Sequence, residues 1–436
     1  MIRKVLRRII QYFAVIVTCI VFATIIMIIT ASLPEHRIVD HVMESRDMLI
    51  REGDYPSWGG PTSVSDGFSD SVMLDRAIYN GGESVIRKAM LNPGELSASQ
   101  GSHMERVLVT LDTDNETYTG YYSRYWHGYL VFLKPLLLFF NVQEIRMINM
   151  IILFSLIALL IFILSRKASL AILPVVSAVV FINPITSVLS FQFSNVLYIT
   201  ILSIIALTLI EENKYSYIFM LSGIMCAFFD LLTYPLVSLG LPLVFVLLKM
   251  SSEYINVRRT ISVILRYSSI WGIGYAFMWG SKWIVAMILT GENTVTDALN
   301  QLLYRSGNDL NAGEGGIDNI SRFEGIIRNI KYVYKTPQMY VLIIMLIVLM
   351  VAILAICLKN RENPLASIVE KRFLILGLFI VALFPFFWYV LLLNHSAVHI
   401  TIAWRNLSIS FSAVISVLCI LLNGVSKNPV LNSDGD

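Results

Sequence analysis

The stretch "MIRKVLRRIIQYFAVIVTCIVFATIIMIITASLPEH", residues 1–36, decides what kind of molecule this chain is. A basic head of Arg3, Lys4, Arg7 and Arg8 precedes an apolar run from Tyr12 to Leu33. That run, about 22 residues, is enough to cross a bilayer core at ~1.5 Å per residue. The apolar region of a cleaved secretory signal is only about 7–15 residues, so the segment reads as a first, retained span.

The rest of the chain has the same character. Hydrophobic residues make up 56% of the 436 and charged ones 14%, with a mean hydropathy of +0.70. A soluble domain of this length needs a more charged surface, so the expected fold class is an all-α polytopic membrane protein. A net charge of +3 is too small to imply a nucleic-acid partner. Cys19, Cys226, Cys357 and Cys419 all fall in apolar stretches and read as small buried side chains rather than disulfides or zinc ligands.

Nine further apolar runs lie at 146–165, 169–185, 195–210, 216–230, 235–249, 263–289, 338–358, 372–393 and 400–423, which makes ten expected spans. Threading the chain through them puts Arg166, Lys167, Lys249, Arg258, Arg259, Lys359, Arg361, Lys371 and Arg372 on the side of the basic N-terminus. By the positive-inside rule that side is the cytoplasm. Both termini are then expected to be cytoplasmic, and the expected home is a bacterial plasma membrane. The resulting division is 1–33 head and first span, 34–145 outer loop, 146–289 spans two to seven, 290–337 second outer loop, 338–423 spans eight to ten, and 424–436 tail.

The first outer loop mixes amphipathic pieces such as "ESVIRKAML" with turn signals, "NPG" at 92–94 and "DTDNET" at 112–117, and is expected to fold into short helices and turns. Its exit, "YYSRYWHGYLVFLKPLLLFFNVQEIR" at 121–146, is interrupted by Lys134 and Pro135 and reads as an interfacial helix. No internal repeat is visible.

Polar residues gather at the outward ends of the spans. Within "SVSDGFSDSVMLDRAIYNGG", 63–82, a helix over 68–79 would put Asp75 on the apolar stripe and Asp66 and Asp70 about 40° apart on the other side. Structural roles are available to each: a helix cap for Asp66, a first-turn charge for Asp70, an ion pair with an arginine for Asp75. Asp230 sits where "DLLTYP" turns the chain, as a cap, an arginine partner or a site residue. His395 and His399 share a helix face in "NHSAVHITIAWRNLS" without a zincin glutamate, which makes zinc a poor expectation and leaves phosphate binding, proton transfer or interfacial anchoring. Arg405 follows deeper in the membrane and needs an anionic partner. Arg124, Tyr125 and His127 lie in an aromatic-rich stretch at headgroup level, and Arg305 in the Gly/Asn-rich second loop is a candidate phosphate contact.

This layout, with one amino-terminal span, an acidic helix in the first long outer loop containing "SDGFSD", basic cytoplasmic loops, and Arg and His at the outer rim, resembles the GT-C superfamily of membrane glycosyltransferases. The resemblance implies a polyprenyl-phosphate sugar donor, a glycan or lipid acceptor, and transfer on the outer face. It implies Asp66 or Asp70 as the base, with Arg405, Arg124, His395 and His399 holding the leaving phosphate. It also leaves Asp230 to orient a sugar hydroxyl or to bind a divalent metal with an outer-loop carboxylate. Departures from the family are also expected: no carboxy-terminal soluble domain, about ten spans where many members have more, and no Asp-Asp or Asp-Glu pair after Glu35, the first acidic residue of the outer loop. The rival expectations are a polymerase or ligase of lipid-linked polysaccharide, a transporter or flippase, and a membrane component without chemistry. Mid-span charge, which a transporter would need, is sparse.

Overall fold

Backbone N–H and C=O groups inside a bilayer have no water to bond, so a spanning chain must satisfy them within its own helices. A computed structural model describes residues 2–111, 116–252, 255–307, 321–334, 336–360 and 368–427, and these are mostly helical with very little strand. Residues 112–115 of "DTDNET", residues 308–320, residues 361–367 with the expected cytoplasmic Arg361, and the tail from 428 lie outside the described residues.

Seven helices are long and apolar enough to span a membrane, which makes the chain a multi-pass membrane protein. They begin with α1 (Ile2–Ala31). A polar segment follows, with α2 (Glu35–Met43), α3 (Arg46–Glu52), α4 (Gly67–Ile78), α5 (Val85–Leu91), α6 (His103–Val109) and α7 (Leu130–Leu137). Next come α8 (Val142–Lys167), α9 (Ile172–Ile182), α10 (Pro184–Leu189), α11 (Phe191–Leu209), α12 (Tyr215–Phe229), α13 (Val237–Lys249) and the long α14 (Val257–Thr290). After α15 (Thr294–Ser306), α16 (Arg322–Val333) and α17 (Pro337–Asn360), the chain closes with helices Arg372–Ala382, Phe384–Leu391, Leu393–Val398, Ile400–Ala403 and Ser408–Lys427.

Seven of the ten expected spans coincide with these long helices, and three do not reach the length. The run expected at 169–185 stops as α9, 11 residues, because Asn183 turns left-handed at φ 64° and Pro184 opens a new helix. The segments at 216–230 and 235–249 are α12 and α13, of 15 and 13 residues. The interfacial helix is also shorter than expected. Asn141 and Glu144 form a reciprocal capping box that starts α8, so only α7 remains of it. In the polar segment, Asn92 takes a left-handed conformation and the chain forms an antiparallel pair, β1 (Pro93–Ser97) with β2 (Thr117–Tyr121), in the register Glu95 opposite Thr119. Helices and turns alone were expected there.

Burial sorts the spans. The hydrophobic window of α8 is 17% buried and that of α11 is 61%, which puts α8 on the rim and α11 in the middle. Exposed apolar side chains such as Phe22, Ile151, Phe162, Ile347 and Leu358 line the rim helices, a surface suited to lipid rather than water. At the centre α12 packs along α14. A Cβ added at Gly223 would collide with the Trp271 carbonyl, and one at Gly274 with the Met220 carbonyl, so the two backbones touch through reciprocal glycines.

Gly223→Val is therefore expected to force α12 from α14 and destabilise the chain by about 1–3 kcal/mol. Thermal unfolding in detergent measures this; an unchanged midpoint would mean the crossing tolerates a larger side chain.

Candidate functional site

The stretch that ends in α4 is drawn into the bundle at its first turn. Gly67 lies so close to the Gly53 carbonyl that a Cβ would not fit, and Phe68 N–H donates to the Asp54 carbonyl at 2.9 Å. Asp66 caps α4, its Oδ1 accepting from Ser69 N–H at 2.9 Å, while its own N–H donates to Ser190 Oγ at 2.7 Å. The other oxygen, Oδ2, is buried and has no hydrogen-bond partner.

Asp66 lines a cavity of about 80 Å³ together with Arg305, His395 and His399. Tyr55, Phe68 and Tyr122 supply aromatic walls, and Leu231, Leu232 and Thr233 close another side. Residues from five separate stretches of chain thus meet in one place, four of them singled out in the sequence.

Arg305 arrives on the last turn of α15. The helix Leu393–Val398 fixes it there: Asn394 N–H donates to the Gly307 carbonyl at 3.2 Å and Asn394 Nδ2 to the Tyr304 carbonyl at 3.0 Å. Arg305 Nη1 lies 2.7 Å from His395 Nδ1. A guanidinium only donates, so Nδ1 accepts and the imidazole proton sits on Nε2. That Nε2 is buried without a well-formed hydrogen bond. Burial holds His395 well below the usual histidine range, with His399 and Arg305 adding to the effect. Burial, then Arg305, lower His399 to about 4. Near neutral pH the cavity therefore presents one fixed cation, two neutral imidazoles and one carboxyl group. Burial pushes that Asp66 carboxyl above the usual range, while its bonds from Ser69 and the charge of Arg405 pull the other way.

The remaining candidates lie elsewhere. Asp70, expected beside Asp66 on an open face, is fully buried and does not line the cavity. Arg146 Nη2 is 3.7 Å from it, and the same guanidinium bonds Glu52 at 2.7 Å. Burial raises Asp70 to about 8, with Arg146 lowering it and Asp66 raising it. Asp75 makes the ion pair with an arginine, the adjacent Arg76, and also accepts from Glu95 N–H at 2.7 Å.

Asp230 is spent on its own turn. It accepts from Gln192 Nε2 at 2.9 Å, from Thr233 N–H at 2.9 Å and from the Thr233 hydroxyl. These bonds hold Leu232 at φ 65°, a strained conformation for a branched side chain, in the cavity wall. Its donor oxygens do not fit a divalent ion, and among the described residues no three His, Cys, Asp or Glu side chains converge on one. His127 uses both ring nitrogens internally, Nδ1 with the Tyr129 hydroxyl at 2.7 Å and Nε2 with the Tyr122 carbonyl at 2.8 Å, and so is a structural histidine. Arg124 pairs with Asp297 at 3.1 Å and stacks on Tyr122. Tyr125 is buried with an unpaired hydroxyl, pushed up to about 12 by burial against the pull of Arg305.

Arg405 stands behind the cavity rather than in it. Its guanidinium lies 3.7 Å from the Phe193 ring centroid and 4.8 Å from that of Trp404, and it donates to the Thr401 carbonyl at 2.7 Å and to Thr186 Oγ1 at 3.2 Å. Thr186 lies in α10, and Ser190 at the end of that helix holds Asp66. Nothing in the residue pattern singles out Ser190 or the strained Leu232. Arg146, a charge at the start of an apolar helix, could have been singled out.

Comparison with known proteins supplies no relative: no family model matches the chain, and neither a curated protein nor a solved structure gives a significant match.

Because the folded pKa of Asp70 is raised from 3.8 to about 8, the native state holds its proton more tightly than the unfolded chain does. Stability from this group is full below the unfolded pKa, falls as pH rises through that window and levels off above the folded pKa. Thermal midpoints measured from pH 5 to 9 should decline in the wild type and flatten in Asp70→Asn; parallel curves would remove Asp70 as the cause.

Proposed function

We propose that the chain is a membrane glycosyltransferase of the GT-C type, moving a sugar from a polyprenyl-phosphate donor to a glycan or lipid acceptor on the outer face of a bacterial plasma membrane. The observation that carries this reading is the shared cavity: a carboxyl group with one free oxygen, and an Arg–His pair whose imidazole Nε2–H is held only loosely, by the Leu232 backbone.

In this reading Asp66 Oδ2 takes the proton of an acceptor hydroxyl. The hydroxyl oxygen bonds to the anomeric carbon as the bond from that carbon to the phosphate oxygen breaks, with inversion. The electron pair stays on the phosphate, where Arg305 and His395 Nε2–H meet the growing charge in a water-poor setting. His399 completes the polar wall, and Tyr55, Phe68 and Tyr122 offer ring faces to the sugar. Asp230 and Arg405 act through other groups, the first by holding the 231–233 wall and the second by anchoring α10 behind Asp66.

An apolar groove supports the lipid half of the proposal. It encloses about 350 Å³ between α8 and α11, with Phe132, Ile152, Tyr198 and Phe229 among its walls. Helix α4 gives Met73 to this groove and Ser69 and Val72 to the cavity, so one short helix would face both the chain and the head of a lipid-linked sugar.

Asp66→Asn is expected to lower transfer by roughly 10²–10⁴-fold at unchanged protein abundance, read by mass spectrometry of envelope glycans; unaltered glycans would remove Asp66 as the base. Sidedness has its own test. Asp66 is 2% exposed and would resist labelling on either side, whereas Trp58 is 57% exposed. A cysteine at position 58 should react with an impermeant maleimide added to intact cells, and protection there would invert the topology.

A further inference from the structure

A second polar cavity lies away from the first, where the end of α1 meets the polar segment. Its volume is about 20 Å³, room for one water-sized group. Thr30 and Ala31 at the end of the first span form one wall, and Arg76, Lys88, Asn92 and Lys134 converge from α4, α5, the turn after it and α7.

The lining itself holds three cations and no carboxylate. Arg76 is paired with Asp75. Lys88 and Lys134 share a single carboxylate, Glu35 Oε1, at 3.2 Å and 4.0 Å. Lys282 lies behind the wall, donating to the carbonyl of Ala89, a lining residue, at 3.2 Å. Three cations thus line the cavity, with Asp75 and Glu35 as their ion-pair partners and Glu83 bonded to the lining Tyr79 hydroxyl. Lys134 is itself buried, which pulls its ammonium below the usual lysine range, with Lys88 adding to the pull against Glu35. Excess buried positive charge is costly unless an anion compensates it.

Unspent hydrogen-bonding capacity lies in the same place. Asn92 lines the cavity, is 2% exposed, and both its side-chain Oδ1 and Nδ2 lack partners. Arg76 Nε is buried and unpartnered as well. A phosphate oxygen matches the two donors among these, Asn92 Nδ2 and Arg76 Nε, in charge and in size. The wall formed by the end of the first span places the opening where lipid headgroups lie.

We propose that this cavity is a phosphate-binding site that receives one headgroup oxygen of an anionic lipid, separate from the Asp66 cavity and independent of any reaction there. Lys134 and Asn92 hold the oxygen, and Lys88 meets the remainder of the phosphate at the mouth.

Thermal unfolding of the purified full chain in a nonionic detergent tests this, titrated with dioleoyl phosphatidylglycerol and separately with inorganic phosphate. Phosphatidylglycerol is expected to raise the midpoint saturably, and inorganic phosphate at the same concentration to leave it unchanged. Lys134→Gln and Lys88→Gln should each weaken the lipid response about tenfold. Should Lys134→Gln fail to fold, Lys88→Gln carries the test, since that side chain is already 17% exposed. A response to inorganic phosphate that the variants lose supports the site and assigns it to the free anion. No response to either probe, or an equal response in wild type and variants, overturns the proposal.

Discussion

The docking of α4 onto the ends of α10 and α11 is the contact on which the site depends. It rests on few bonds: Asp66 N–H to Ser190 Oγ at 2.7 Å, and Asp70 set against Arg146 of α8. Both carboxyl groups are taken out of water, at a cost that only a specific arrangement can offset. Without that docking, Phe68, Ser69 and Val72 would have no reason to face Thr233 and His395, and the cavity would not close. The polar segment is thereby part of the bundle rather than an appendage resting on it.

The division of labour among the acidic side chains follows from how many lone pairs each has left. Asp230 has given its oxygens to Gln192 and Thr233, and Asp75 has given its own to Arg76 and the backbone of Glu95. Asp70 faces a cation that already serves Glu52. Asp66 alone of the four combines a committed oxygen with an uncommitted one at a cavity wall. The same accounting separates the histidines: His127 is well bonded at both nitrogens, and His395 at only one, its Nε2 being left with a poorly formed contact to the Leu232 backbone.

Much of this was readable in the residues. Apolar length revealed seven spans, and helical phasing located α4 to within a residue, with Asp66 as its cap. The union of Asp66, Arg305, His395 and His399 lies beyond the reach of any one segment, because it depends on where five stretches of chain meet. Phasing also misled. It separated Asp66 and Asp70 from an apolar face and implied that they met open space, yet the second is enclosed by α8 and α11, which no local pattern in residues 63–82 foretells. Short runs were the other weakness: α9, α12 and α13 are as apolar as spans but too brief, and composition alone does not measure length once Asn183 and Pro184 cut a run in two.

Helix α14 has 34 residues, about 51 Å at ~1.5 Å per residue, against a hydrocarbon core of roughly 30 Å. A rod so much longer than the slab it crosses either leans or stands proud of it. Trp279 and Trp283 near its far end both donate to the Arg124 carbonyl, and α15 with Arg305 begins just beyond. The far end of this helix therefore lies next in the chain to the helix that carries Arg305, the only fixed cation among the described lining residues of the cavity. Only Gly291, Glu292 and Asn293 separate a helix that must fit its bilayer from one that places a cation at the site.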